Sequence, residues 1–275
     1  FRFIRIDCLS PDMTIYLKEA PAIFRYRNIP YLGSFRCNDQ RLNDIWMTGA
    51  YTVHLNMQEY LWDGIKRDRL IWLGDMHPEV ATIMSVFGHN EVVNKSIDLA
   101  CEQFPPPQWL NGISTYSMWY LIIQHEWYMH NGNIDFLRHH RAYITGVIDR
   151  IDECVDEEGN ENLAKQRFLD WPSSPNQPGV EAGYRALLSW ALKDAEVLCN
   201  LLEEQEHAKK CRAISKRLKK QIKQPNGLKQ AAALMSIAGL MQRSYLSRWC
   251  QGLFHFLWLL HVAGPCASRR IPASS

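Results

Sequence analysis

The 275-residue chain is most informative first in what it lacks. Its eight cysteines, from Cys8 to Cys266, include no Cys-x-x-Cys pair, which excludes a zinc ribbon and a thioredoxin-type redox motif. Scattered as they are, they read as free thiols, a pattern that leans toward a reducing compartment. The formal net charge is only +2, so there is no global attraction to nucleic acid or to an anionic membrane, and any partner must be argued locally. The longest apolar run, Leu253 to Ala263, is interrupted by His255 and is too short to span a bilayer. The opening residues FRFIRIDCLS lack the apolar centre of a signal peptide. No residue-level repeat recurs at a fixed period, which argues against a regular solenoid.

One stretch fits neither helical nor strand periodicity. From Tyr60 to Glu79, YLWDGIKRDRLIWLGDMHPE places Asp63, Asp68 and Asp75 among Lys66, Arg67, Arg69, Trp62 and Trp72, with Gly64 and Gly74 as hinges. A loop of this length inside a compact domain is usually functional. Paired carboxylates suit glycoside hydrolysis, where one acid protonates the leaving oxygen and a second activates water or attacks. Carboxylates and arginine also hold vicinal hydroxyls, and an aromatic face packs on a sugar's C–H surface. The plainer alternative is a surface loop laced with salt bridges. Hard oxygen ligands for a cation are a third, which the three basic residues between the acids oppose.

The remaining pattern is mainly helical. FRFIRI and MTIYL alternate like two short strands, too few to form a sheet alone, and suggest the end of a β domain followed by a linker over 1–35. Asn38 or Asp39 can cap a helix striped by Leu42, Ile45, Trp46 and Val53. Pro78 suits the first turn of a second helix, and Glu91 to Phe104 forms a third. Tyr116 to Met129 is apolar on nearly every side and therefore buried. Further helices are expected over Asp135–Val155, from Val180, over Ala208–Lys223 and over Leu228–Leu240. Between them, RFLDWPSSPNQPG is a second aromatic-bearing loop. Helical hairpins with long loops on one face suggest an α/α toroid. The run HAKKCRAISKRLKKQIK is better read as a solvated helix face than as a nucleic-acid footprint, given its apolar stripe and the preceding Glu203, Glu204 and Glu206.

The string DGIKRDRLIWLGD resembles the signature of bacterial α-L-rhamnosidases with a six-hairpin catalytic barrel, with Asp63, Asp68, Arg69, Trp72, Gly74 and Asp75 in register. FRFIRI, GSFRCNDQRLNDIW, TYSMWYLIIQHEWYMHNGN and RFLDWP look like further landmarks of that family. The resemblance implies an incomplete (α/α)6 barrel over 36–246 behind a short N-terminal β remnant. It implies hydrolysis of terminal α-L-rhamnosides with inversion in the intact parent, with no cofactor and no metal. The partner would be a rhamnose-containing glycan or glycoside, with neither nucleic acid nor membrane involved, in a bacterial protein of the cytoplasm or periplasm. Asp68 would then be the general acid, where many members carry Glu. Asp63 and Asp75 would hold sugar hydroxyls beside Trp72, with Arg67 orienting the acids. Trp119, Asp170 and Trp171 would complete the substrate pocket, although core packing is the favoured reading of Trp119 in its apolar helix. His77 and Glu79 would stand behind them, unless Glu79 only complements a helix start. An arginine beside Asp68 works against an acid's role, so that role would require covering of the carboxyl by Trp62 and Trp72.

After about Ser247 the chain changes character. RWCQGLFHFLWLLHVAGPCASRRIPASS departs from the resemblance, and its permitted codons, read one nucleotide later, can spell a segment similar to the family's. The expectation is a shifted reading frame over 247–275. The family's general base, a Glu well past this point, would then be missing. Glu181 is the upstream acid weighed as a substitute, although it is expected on the first turn of its own helix.

Overall fold

In the computed structural model, residues 3–9 and 12–241 are described; the expected change of character over 247–275 lies outside them. Among the described residues nine α-helices form: α1 Gln40–Asn56, α2 Leu73–Val86, α3 Glu91–Gln103, α4 Ser114–Asn131, α5 Ile134–His139, α6 Arg141–Glu153, α7 Gln177–Leu201, α8 Gln205–Leu218 and α9 Lys229–Ile237. Helices α2, α4, α7 and α9 lie in a row, each packed on the next, with α1 behind α2 and with α6 and α8 behind α7. This is part of an α/α barrel, an inner row backed by an outer one.

Local chemistry explains the boundaries. Asp39 caps α1 by accepting from the Arg41 N–H at 2.9 Å, and Asn90 caps α3 through the Val92 N–H at 3.1 Å. Gly132 ends α4 in the left-handed region, where a residue without Cβ is favoured. The single helix expected over 135–155 is two, α5 and α6, broken at His140. That ring is buried, with Tyr120 Oη 3.2 Å from Nδ1 and Asp98 Oδ1 2.9 Å from Nε2, so fixing the side chain takes precedence over continuing the helix. Helix α4 is buried on nearly all sides, as its composition requires, with Met118, Tyr120, Leu121, Ile122 and Ile123 fully enclosed. The central element is α7, whose Tyr184, Leu187, Leu188, Ala191, Leu192 and Ala195 are also without exposure.

The N-terminal β remnant is corrected. Residues 3–6 and 13–17 are exposed and pair with no strand, and the described residues contain only the isolated bridges Met57–Leu61 and Val155–Glu161. Alternation makes a strand only where a neighbouring edge takes up the backbone hydrogen bonds. The following link is docked: the Leu32 and Gly33 N–H groups donate to the Val86 carbonyl at 2.7 and 3.0 Å. A Cβ on Gly33 would stand 1.9 Å from the Ser85 carbonyl oxygen, so this approach requires glycine.

The basic run of α8 is matched by acids. Lys210 meets Asp149 at 2.5 Å, Arg212 meets Glu196 at 2.8 Å, Arg217 binds Asp152, and Lys223 meets Glu181 at 3.2 Å. The expected solvated face is what forms, with its charge largely paired. Glu181 is the fifth residue of α7 rather than in its first turn, and Lys223 occupies it.

Candidate functional site

The Tyr60–Glu79 stretch is less irregular than its composition implies. Helix α2 begins at Leu73, so Pro78 sits inside the helix and not in its first turn. Proline there removes one intrahelical donor and leaves the carbonyl four residues back, at Gly74, without it. Trp72 occupies the N-cap position but offers no side-chain acceptor. Asn111 substitutes from a distant loop: its Oδ1 accepts from the Leu73 N–H at 3.1 Å and its Nδ2 donates to the Ile71 carbonyl at 2.9 Å. Asn111 adopts a left-handed backbone, φ 52°, which asparagine tolerates better than most residues.

Ahead of the helix the chain closes into a small loop. The Asp63 N–H donates to the Leu70 carbonyl at 3.1 Å, and Asp63 Oδ1 accepts from the Leu70 N–H at 3.1 Å. Asp63 Oδ2 is buried with no hydrogen-bond partner among the described residues. Arg69 lies in the left-handed region at φ 53°, backbone strain of the kind that gathers at functional loops.

A cavity of about 690 Å³ opens beside this loop, within the range of small-molecule sites. Its wall comes mostly from the inner row: Gly74, Asp75, His77 and Ala81 of α2, Tyr116, Trp119 and Glu126 of α4, Trp190 of α7, and Gln230, Ala233, Leu234 and Ile237 of α9. Loops add Arg67, Trp72, Ile113, Phe168, Leu169, Asp170 and Trp171. Six of the eight expected site residues, Arg67, Trp72, Asp75, Trp119, Asp170 and Trp171, therefore share one wall. Asp63 and Asp68 do not line it. Asp68 stands beside it with a side chain 42% exposed, accepting from Trp72 Nε1 at 3.2 Å and lying 3.8 Å from Arg67 Nε. The expected covering of the carboxylate is not present: it stays open to solvent, and Trp72 meets it through its ring N–H.

Aromatic packing shapes the wall. His77 stacks on Trp119 with centroids 4.6 Å apart, and Trp190 meets Trp119 edge-on at 5.7 Å. Trp72 meets Tyr116 edge-on at 6.1 Å, and Phe168 bridges Tyr116 to the exposed Trp171. Trp119 is thus half-buried wall, combining both readings of it. Gly74 is required by Tyr116, whose ring would lie 2.3 Å from a Cβ at that position. This gives a packing reason for the Trp-x-Gly-Asp spacing.

The electrostatics are graded with depth. Burial raises the Asp75 pKa, and neighbouring Asp63 raises it further while Arg67 opposes. Deeper, burial pushes Glu79 up to about 8, against the relief of its Asn56 hydrogen bond and with Asp75 and Asp63 adding to the rise. Asn56 Nδ2 donates to Glu79 Oε1 at 3.0 Å, and Glu79 Oε2 is buried without a partner. Glu79 lies seven residues into α2, so complementing the helix start is not its function. His77 Nε2 lies 3.0 Å from Glu126 Oε2, tying α2 to α4. Asp170 Oδ1 accepts from the Ser173 N–H at 2.7 Å, which holds the second loop. Glu126, Tyr116 and Trp190 were missed by sequence reading, since each lies on a helix whose apolar character reads as core.

An inner row of helices backed by an outer one, with acids and tryptophans together on one cavity wall, defines a helical-hairpin scaffold. Residues 30–241 match the bacterial alpha-L-rhamnosidase 6 hairpin glycosidase domain, and the chain belongs to that family. No curated protein matches it. Among solved structures, it is similar to a GH78 family rhamnosidase of Bacillus sp. GL1, at 23% identity and TM-score 0.59, covering 80% of this chain and 23% of that one. It is also similar to a rhamnosidase from Klebsiella oxytoca with rhamnose bound, at 16% identity and TM-score 0.63, covering 83% of this chain and 53% of that one. The chain therefore spans a quarter to a half of these proteins, and at such identities the likeness establishes the fold.

Proposed function

We propose that the pocket binds a terminal α-L-rhamnosyl group and that the parent reaction is its hydrolysis with inversion. The observation that carries this reading is the convergence of Trp72, Trp119 and Trp171 with Asp75, Asp170 and Arg67 on one wall of about 690 Å³. Aromatic faces take the sugar's C–H surface and its methyl group, while the carboxylates and guanidinium take its hydroxyls. Membership of the family and the rhamnose bound in the Klebsiella oxytoca enzyme support the sugar's identity.

In this reading Asp63 adds a hydroxyl contact through its unpaired Oδ2. Asp68, next to Trp72 and Arg67, donates the proton to the leaving glycosidic oxygen. Inversion needs a second carboxylate roughly 6.5–9.5 Å across the sugar to activate water. Among the three wall carboxylates Asp75 is assigned to the sugar's hydroxyls, Glu126 is engaged by His77 and Asp170 by its own turn. We therefore place the water-activating base outside the described residues and expect the 275-residue chain to turn substrate over little or not at all. Nitrophenyl α-L-rhamnoside assayed with the purified chain tests this. Negligible release is expected. Robust release abolished by Asp68→Asn would overturn the inactivity while supporting the site.

A second reading, sugar binding without turnover, is favoured by the solvent-open position of Asp68 beside the wall rather than on it. Binding insensitive to Asp68→Asn, together with no hydrolysis when the chain is extended by a family C-terminus, would favour it.

A further inference from the structure

Away from the pocket, the break between α5 and α6 brings two consecutive imidazoles to one carboxylate. Asp98 Oδ1, on α3, lies 2.9 Å from His140 Nε2 and 3.6 Å from His139 Nε2. One donor atom from each of the three lies within 4.8 Å of the others. Neighbouring side chains on a continuous helix diverge by about 100°, so only the broken backbone at His140 lets both rings face Asp98. None of the three lines the sugar pocket.

We propose that Asp98, His139 and His140 form a binding site for a borderline divalent transition metal such as Zn²⁺. Two imidazole nitrogens and one carboxylate oxygen are the donors such an ion prefers over Mg²⁺ or Ca²⁺, which favour all-oxygen shells. Tetrahedral bonds of about 2.0–2.1 Å put donors about 3.3–3.4 Å apart, between the two separations to Asp98, so the carboxylate oxygen stands at ligand spacing from both imidazoles. His140 Nδ1 is 3.2 Å from the buried Tyr120 hydroxyl. A hydroxyl both donates and accepts. When Nε2 gives its proton's place to the metal, the ring carries that proton on Nδ1 and donates it to Tyr120, with no net proton released. Such an outer partner fixes the ring's tautomer and orientation at metal sites. His139, 69% exposed in its side chain, and Asp98, 36% exposed, leave an entry path and room for water as the fourth ligand. The ion would tie α3 to the α5–α6 break on the outer layer.

The test uses the full chain, stripped with a chelator and titrated with Co²⁺ and Zn²⁺. One Co²⁺ per chain is expected, with a visible d–d spectrum free of sulfur-to-metal charge transfer, and Zn²⁺ raises Tm. His139→Ala and Asp98→Asn, both at solvent-accessible positions, are expected to weaken binding by about tenfold or more and to abolish the Tm rise, with unchanged helical circular dichroism in metal-free protein. Three results would overturn the site: no binding, affinity equal in both variants and wild type, or a thiolate spectrum, which would assign the metal to cysteines.

Discussion

Glu79 carries the sharpest single-residue consequence of the site. Its ordinary pKa of 4.5 rises to about 8 in the folded protein, first by burial and then by the nearby Asp75 and Asp63. Between those values the folded state holds a proton that the unfolded chain releases, so Glu79's contribution is fully favourable below 4.5. It is lost progressively as pH rises toward 8. Each unit corresponds to about 1.4 kcal/mol. Glu79→Gln cannot titrate and keeps an oxygen for Asn56. Urea unfolding of both proteins should show the variant's stability relative to wild type growing by several kcal/mol from about pH 5 to about pH 8. A pH-independent difference would contradict the buried, protonated carboxyl. At this scale the sequence showed which acids stand near the site through the spacing of Asp63, Asp68 and Asp75, but not their depth. Asp68, placed by resemblance at the chemistry, is open to solvent, whereas Glu79 and Glu126 are drawn inward by the turn of α2 and α4. Depth depends on which helix packs where, and no local pattern encodes that.

Among the elements, α2 decides the geometry of the pocket, and its start depends on a remote side chain. Asn111 satisfies the Leu73 N–H and grips the Ile71 carbonyl, which sets Trp72 and Asp75 at the cavity. Asn111→Gly keeps the left-handed backbone accessible and removes both hydrogen bonds, so it should destabilise the protein by about 1–3 kcal/mol in chemical denaturation and weaken sugar binding without altering the wall's composition. Unchanged stability and affinity would show that α2 starts there unaided. The sequence made most helices legible through apolar stripes and caps, as at Asp39, Asn90 and Gly132. It misplaced the start of α2 because Pro78 mimicked a first-turn proline and the true cap lies nearly forty residues away. It joined α5 to α6 because the apolar period runs on through His140, whose tertiary partners Asp98 and Tyr120 break the backbone. It read strands near the N-terminus from alternation alone, without a paired edge.

Taken whole, the molecule builds its pocket from four inner helices and three loops, with α7 as the spine on which α4, α8 and α9 pack. The sheer number of apolar helices made the α/α class legible, while the family string DGIKRDRLIWLGD located the site. The remaining wall, including Trp190 and the α9 residues Ala233, Leu234 and Ile237, was not legible, because a cavity between packed helices leaves no local signature in any one of them. The central claim is that this wall is shaped for a terminal α-L-rhamnosyl group. Isothermal titration of L-rhamnose into the 275-residue chain tests it most directly: saturable one-to-one binding is predicted, strongly weakened by Asp75→Asn and by Trp72→Ala while the helical spectrum is retained. Absence of binding to the folded chain, or binding of equal strength in both variants, would contradict it.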